Sequence, residues 1–284
     1  MAIVLEDEFG DIISKARGGT GLSTQEVADQ IGVPVNDLEQ MERYQLIPDD
    51  GVIGQLADVL TLDAECLIDI ARGRWTPKDP EGRVGAEMVL ERLSVGGAYK
   101  ANCYIVGCAH TKEGIVIDPG DNGRSILDSI RSDGRSIRYI LLTHGHGDHT
   151  GALSEVQGAT GARMFIHRED RALLGGVLPK GADTVGDGDS LHFGQLEILA
   201  RHTPGHSMGG MSYVVGDVAF VGDTLFAGSL GRATRRGNYP ILLRSAREKI
   251  LTLKDETTLF PGHGPATTVG EEKAHNPFLR CVGV

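Results

Sequence analysis

One stretch constrains this chain more than any other: Thr143-His-Gly-His-Gly-Asp-His149, directly behind the apolar run Tyr139–Leu142. Three histidines and an aspartate within six residues, interleaved by glycines, are ill suited to an ordinary structural loop. Histidine is the commonest metal ligand of proteins, and imidazole together with carboxylate suits zinc or iron. The glycines allow the backbone to fold so that neighbouring side chains reach one point. Three later segments repeat the form, an apolar strand feeding a loop with one potential ligand. Thr203-Pro-Gly-His206 follows Leu196–Ala200, Gly222-Asp223 follows Val218–Val221, and Pro261-Gly-His263 follows Thr257–Phe260. Strand ends are where α/β folds place their sites.

The surrounding pattern agrees with that class. Strand-like runs at Met88–Val95, Cys103–Val106, Gly114–Asp118, Tyr139–Leu142 and Arg163–Ile166 alternate with helical stretches such as Gly123–Ser132 and Leu242–Leu253, which predicts an α/β layered domain. The chain carries 28 Lys+Arg against 39 Asp+Glu, a formal net charge of −11. That balance disfavours a surface built broadly for phosphates. The excess is uneven: residues 1–75 hold 15 acidic and 5 basic side chains, a net of −10, and the remainder is near neutral. Charge asymmetry of this kind marks a domain. The Pro- and Gly-containing segment from Trp75 to Gly82 predicts a linker. The expected organisation is a helical domain over 1–74, a linker over 75–83 and a catalytic domain over 84–284. Before the linker, Ser23 and Glu26 form a capping-box pattern opening a helix through Ile31, and further helices are expected at Val35–Tyr44, Val52–Leu60 and Ala64–Arg72. No apolar run reaches the roughly 20 residues of a spanning helix, and the start lacks the basic and apolar regions of a secretory signal. Cys66, Cys103, Cys108 and Cys281 form no CxxC pair. A cytoplasmic location with free thiols, and no membrane partner, is expected.

The histidine–aspartate series resembles the metallo-β-lactamase superfamily, whose signature is HxHxDH followed by a distant His, an Asp and a final His. Here it falls on His144, His146, Asp148, His149, His206, Asp223 and His263. Asn102-Cys-Tyr, Ile117-Asp-Pro-Gly120, Gly222-Asp-Thr-Leu-Phe226 and Pro261-Gly-His-Gly-Pro265 resemble the glyoxalase II (hydroxyacylglutathione hydrolase)-like branch. The resemblance implies an αββα sandwich with metals at one edge. It implies one ion on His144, His146 and His206, a second on Asp148, His149 and His263, and Asp223 bridging; it also gives Asp148 a catalytic role. Two divalent ions, zinc by preference with iron or manganese accepted by the same donors, sit about 3.5–4 Å apart in such sites and share a hydroxide that attacks a carbonyl carbon. A small thioester or ester substrate is expected. Asp118 either orients a ligand histidine or is an ordinary turn residue of Asp-Pro-Gly. His110, His167, His192, His202 and His275 lack ligand spacing and read as surface or core residues.

Two departures bear on function. Glyoxalase II carries a C-terminal helical region for glutathione, and here 21 residues follow His263, so glutathione specificity does not transfer. Persulfide dioxygenases share the short architecture and use the His144, His206 and Asp223 positions for a single iron. They typically carry Arg and Asp in a GRTD-like segment, where this chain has Gly231-Arg-Ala-Thr234. The hydrolase is therefore the favoured reading and the dioxygenase the alternative. Arg232, Arg235 and Arg236 either receive an anionic substrate group or form a solvated loop.

Residues 11–73 resemble the lambda-repressor/Cro-like helix-turn-helix family, carried by Gly21-Leu-Ser-Thr-Gln-Glu-Val-Ala-Asp-Gln-Ile-Gly-Val33 and Leu38-Glu-Gln-Met-Glu-Arg43. The resemblance makes Val35–Tyr44 the recognition helix. Its Asp37, Glu39 and Glu42 would face a phosphate wall, which is the wrong sign for readout. No DNA partner is expected, and packing, a homodimer contact or cover for the active site is preferred to a transcriptional regulator with a sensor domain.

Overall fold

The apolar spacing of the first quarter resolves into five helices in the computed structural model, which describes residues 3–79, 81–97, 100–177, 182–233 and 236–280. These are α1 (Phe9–Thr20), α2 (Thr24–Ile31), α3 (Val35–Glu42), α4 (Asp50–Leu60) and α5 (Ala64–Ala71). The last four fall where the sequence places them. The expected capping box forms, with Ser23 Oγ accepting from the Glu26 amide and the Glu26 carboxylate accepting from the Ser23 amide. Helix α3 ends at Glu42 rather than at Tyr44, because Tyr44 takes a left-handed φ of 61°. Helix α1 is additional to the sequence reading. Its opening turn is held by the Glu8 amide donating to Asp11 Oδ2, a pairing without the Ser/Thr signature that marks α2.

The rest of the chain forms two sheets. The first runs in the order β1 (Met88–Val95), β2 (Ala101–Cys108), β3 (Glu113–Ile117), β4 (Ser136–Leu141), β5 (Arg163–Ile166) and β6 (Asp183–Thr184). Its first three strands are antiparallel and the remaining pairings parallel. The parallel steps use helical crossovers, as parallel neighbours require: α6 (Gly123–Asp133) between β3 and β4, then the single turn α7 (Gly147–Thr150) and α8 (Leu153–Thr160) between β4 and β5. The second sheet contains β7 (Ser190–Phe193), β8 (Leu196–His202), β9 (Met211–Val215), β10 (Val218–Gly222), β11 (Thr258–Pro261) and β12 (Thr267–Thr268) in sequential spatial order, with only β10 and β11 parallel.

Every residue of β2 is buried, because both faces of the first sheet are covered. Outside it, Ile126, Ile130, Leu153 and Val156 of α6 and α8 pack on Ile105, Val116, Ile140 and Met164. Between the sheets lie Tyr104, Phe165, Phe193, Tyr213, Phe220 and Phe260. The Tyr104 ring meets those of Phe220 and Phe260 at 5.1 and 5.5 Å, tilted and edge-on, the geometry aromatic quadrupoles favour.

The outer face of the second sheet is covered by α9 (Tyr239–Ser245), which continues into a π-helical turn over Ala246–Ile250, by α10 (Val269–His275), and by the N-terminal helices. Phe9, Ile12, Ile13, Leu56, Ile70 and Trp75 belong to one apolar cluster with Ala219, Val221, Leu242, Leu259 and Val269. At residue 75 the chain passes from helices to sandwich while remaining tied down. The Trp75 ring stacks on His275 at 5.4 Å, and the Lys78 amide donates to Glu271 Oε1 at 2.8 Å. Helix α1 also grips the loop after β10. Lys15 Nζ donates to Leu230 O at 2.7 Å and pairs with Asp7, whose carboxylate accepts from Ser229 Oγ. Among the described residues no helix is long and apolar enough to cross a membrane.

Candidate metal centre

Strand β4 ends at Leu141, and Thr143 O accepts from the Met211 amide at 2.7 Å, fixing the start of the histidine-rich loop against the second sheet. His144 and His146 sit in this loop, and Asp148 and His149 in α7. The loops after β8, β10 and β11 bring His206, Asp223 and His263 to the same edge. Donor atoms of His144, His146 and His206 lie within 4.8 Å of one another, and so do those of Asp148, His149 and His263. Asp223 stands between the two sets. Its Oδ2 is 3.4 Å from His206 Nε2 and 3.7 Å from His263 Nε2, and its Oδ1 is 3.5 Å from His149 Nε2.

The outward ring nitrogens explain why the inward ones are available. Nδ1 of His206 lies 2.7 Å from Arg232 O, and Nδ1 of His263 lies 2.8 Å from Lys100 O. Nδ1 of His149 lies 3.0 Å from Asp118 Oδ2. Thr143 Oγ1 donates to Asp118 Oδ2 and so presents a lone pair to His144 Nδ1 at 3.1 Å. Each oxygen takes the outward Nδ1 proton, so Nε2 is the nitrogen that faces inward, as in metal-binding imidazoles oriented by an outer partner. Asp118 therefore touches His149 of the second group. It also accepts from the Thr143 amide at 2.7 Å and holds a left-handed φ of 50°, a strained conformation of the kind that collects at functional sites.

The chemistry of this donor set fits divalent ions. Among the described residues His144 Nε2 and Asp223 Oδ1 are buried without any hydrogen-bond partner. Buried polar atoms are nearly always satisfied, and both of these are acceptors pointing into the same space. Gly262 keeps that space open: a Cβ there would fall 2.2 Å from Asp223 Oδ1 and 2.7 Å from the His149 ring. Burial and the surrounding imidazoles hold His144 well below the usual histidine pKa, and burial lowers His206 against the pull of Asp223. For His149 and His263 burial also opposes the charged ring. It is outweighed by Asp223 and Asp118 at His149, and by Asp148 and Asp223 at His263, which is pushed up to about 9. The hydrogen bond from His263 holds the Asp148 carboxyl far below the ordinary range.

Arg232 contributes its carbonyl to His206, and its side chain is exposed. Arg235 and the side chain of Arg236 lie outside the described residues, as does Cys281. Among the other histidines, His167 stacks on His202 at 4.2 Å and His275 on Trp75, as packing residues. Sequence reasoning missed Asp170, a buried carboxylate that bonds the backbone beside two of the ligand loops. The Arg-Glu-Asp run containing it carries no motif that would reveal it.

Known proteins place this geometry. The chain is 38% identical over 209 residues to a probable metallo-hydrolase of Bacillus subtilis, covering 68% of this chain and 98% of that protein. It is 32% identical over 200 residues to the hydroxyacylglutathione hydrolase GloC of Haemophilus influenzae, covering 64% and 94%. The crystal structure of TTHA1623 in a di-iron-bound form superposes with a TM-score of 0.56 at 32% identity, covering 66% of this chain and all of that one. The profile of the Metallo-beta-lactamase superfamily matches residues 96–263, from the β1–β2 turn to the last histidine of the centre. With two stacked sheets flanked by helices and the histidine–aspartate loops along one edge, the chain belongs to the metallo-beta-lactamase superfamily.

Proposed function

We propose that this protein is a metal-dependent hydrolase of small thioesters or esters, with His144, His146 and His206 holding one divalent ion, Asp148, His149 and His263 a second, and Asp223 between them. The observation that carries it is the pairing of two adjacent ligand sets around one buried carboxylate with an unpartnered oxygen. The likeness to a hydroxyacylglutathione hydrolase supports a thioester substrate. When bound, two such ions supply a nucleophile at neutral pH and stabilise the developing oxyanion, with zinc the proposed metal. The chain's own residues supply orientation. Asp118 holds the His149 ring through Nδ1, and the carbonyls of Arg232 and Lys100 do the same for His206 and His263. Asp148, with its side chain 39% exposed, is the carboxylate open to the substrate side. In this reading it orients the attacking water. A thiolate leaves readily, so no separate Ser or Cys nucleophile is required.

The helical unit is read as a packing element that covers the second sheet. Glu42 of α3 is bound to Arg17 of α1 by two hydrogen bonds, and Glu39 pairs with Arg43, so α3 presents no unopposed positive charge to a phosphate backbone. Retention on DNA at physiological ionic strength would overturn this part.

Elemental analysis combined with a thioester and lactone panel tests the main reading. About two zinc ions per chain and thioester turnover are expected. One iron per chain with oxygen consumption on glutathione persulfide would replace the hydrolase by a dioxygenase.

A further inference from the structure

Asp170 lies outside both ligand sets, in the 3-10 segment Arg168–Val177 that follows β5, and only 1% of it is exposed. Its two carboxylate oxygens are used on two different loops. Oδ2 accepts from the Gly145 amide at 3.0 Å, and Oδ1 accepts from the Gly209 amide at 2.7 Å. Gly145 stands between His144 and His146, and Gly209 stands three residues beyond His206. One buried carboxylate thus bridges the two loops that carry the whole histidine triad.

The glycines show how close this fit is. A Cβ on Gly209 would lie 2.7 Å from Asp170 Cγ, and one on Gly145 would lie 2.8 Å from Asp170 O. A side chain at Gly209 would push the carboxylate off its amide, and one at Gly145 would displace the Asp170 backbone and Leu173. The loops come from different sheets, the first after β4 and the second after β8. Nothing in strand pairing alone sets the distance from His146 to His206, whose facing nitrogens are 2.8 Å apart. A buried carboxylate bound to two amides is a charge-assisted connection, stronger than a neutral one.

We propose that Asp170 is a positioning residue for the triad: by bridging the Gly145 and Gly209 amides it sets the spacing of His144, His146 and His206 before an ion arrives. This rests on the reading that the triad holds a metal. An Asn at this position is isosteric, but its amide NH2 faces a backbone N–H, so one of the two loops is released.

The test measures zinc affinity by chelator competition in two backgrounds, His263→Ala, which leaves the triad intact, and His146→Ala, which leaves the Asp148–His149–His263 set intact. Asp170→Asn is expected to weaken the triad by about 10- to 100-fold, the range typical of partners behind metal ligands, and to leave the other set within a factor of about two. Asp63→Asn removes a comparably buried carboxylate, the N-cap of α5 in the helical unit, and is expected to lower thermal stability without changing either affinity. Unchanged triad affinity, or equal losses in both sets, overturns the proposal. Amide exchange on the unmutated, metal-free protein gives a second measurement that no folding defect can obscure: protected Gly145 and Gly209 amides are expected, and exchange at open-loop rates overturns the bridge. If the unmutated protein binds no zinc, the reading of the triad as a metal site fails, and the exchange result still decides whether the bridge exists.

Discussion

The two proposed ligand sets are built from similar side chains on one edge of the sandwich, yet they hold protons in opposite ways. In the His144–His146–His206 set, burial and neighbouring imidazoles disfavour the charged ring, so His144 and His206 are held below the ordinary histidine value. In the second set the neighbours are carboxylates. Asp118, Asp148 and Asp223 surround His149 and His263, and their charge outweighs burial, raising both rings and His263 to about 9. The difference teaches that donor type alone does not fix metal affinity. An ion entering the first set meets the open lone pairs of His144 and His206, whereas one entering the second must displace protons. The sets are therefore expected to fill in order, the triad first.

The strongest way to break this comparison removes a ligand from each set. His146→Ala is expected to abolish hydrolysis, a loss well beyond about 100-fold, and to reduce bound zinc from two ions to one. His263→Ala is expected to reduce metal content equally while leaving the tighter ion in place. Metal analysis after graded chelation reads the outcome. If His146→Ala keeps the tighter ion instead, the order of filling is reversed.

The next largest effect is that of pH. His263 with a pKa of about 9 carries its proton at pH 7 in the ion-free chain. Affinity of the second set therefore rises as pH climbs towards 9 and falls as pH drops, by about tenfold per unit for one displaced proton. Between pH 9 and pH 6 the expected loss is about 500-fold, while the triad, with His144 and His206 held below the ordinary histidine value, changes far less. Chelator competition across that range checks it, and parallel slopes for the two ions would remove the distinction.

How much of this was legible in the sequence follows from where each group sits in the chain. His144, His146, Asp148 and His149 declare themselves because four polar donors crowd into one glycine-spaced loop behind an apolar strand. His206, Asp223 and His263 each look ordinary alone and gain meaning from the repeated strand-then-ligand form. Asp118 could not be resolved, since Asp-Pro-Gly reads equally well as a turn; only the approach of α7 brings His149 to its carboxylate. Asp170 was invisible because its partners are backbone amides, which leave no pattern in side chains. For the fold, α2 was readable from Ser23 and Glu26. Helix α1 was not, because its start uses Glu8 and Asp11 and its end runs through Gly18-Gly19. The covering of the second sheet by the helical unit depends on β10 showing Ala219 and Val221 outward, which period-two alternation alone does not assign to a partner.

Asp118→Asn gives a smaller and more selective effect. Its carboxylate accepts from the Thr143 amide, from Thr143 Oγ1 and from His149 Nδ1, and an amide cannot accept all three. Asn tolerates the left-handed conformation that this position adopts, so the backbone cost is small. The second set is expected to lose about 10- to 100-fold in affinity, read by chelator competition at pH 8. The triad should follow only weakly, through Thr143 and His144. An equal loss in both would mean that Asp118 supports the whole edge.

The smallest effect separates charge from contact. Glu6, in the segment leading to α1, places Oε1 4.0 Å from His263 Nδ1, beyond hydrogen-bond range, with 38% of its side chain exposed. Solvent screens such a pair to about 0.2–1 kcal/mol. Glu6→Gln is expected to lower the pH midpoint for loading the second set by less than about 0.7 unit, since His263 then holds its proton less tightly. At high pH the same loss of negative charge weakens the bound ion by a factor of about five or less. Both follow from titrating metal affinity against pH, and the triad should not move. If it does, the N-terminal segment acts on the centre through the loop that Asp7 and Lys15 hold at Ser229 and Leu230 rather than through the charge of Glu6. The helical unit would then be a mechanical part of the metal site, coupled to His206 through the Arg232 carbonyl two residues further along that loop.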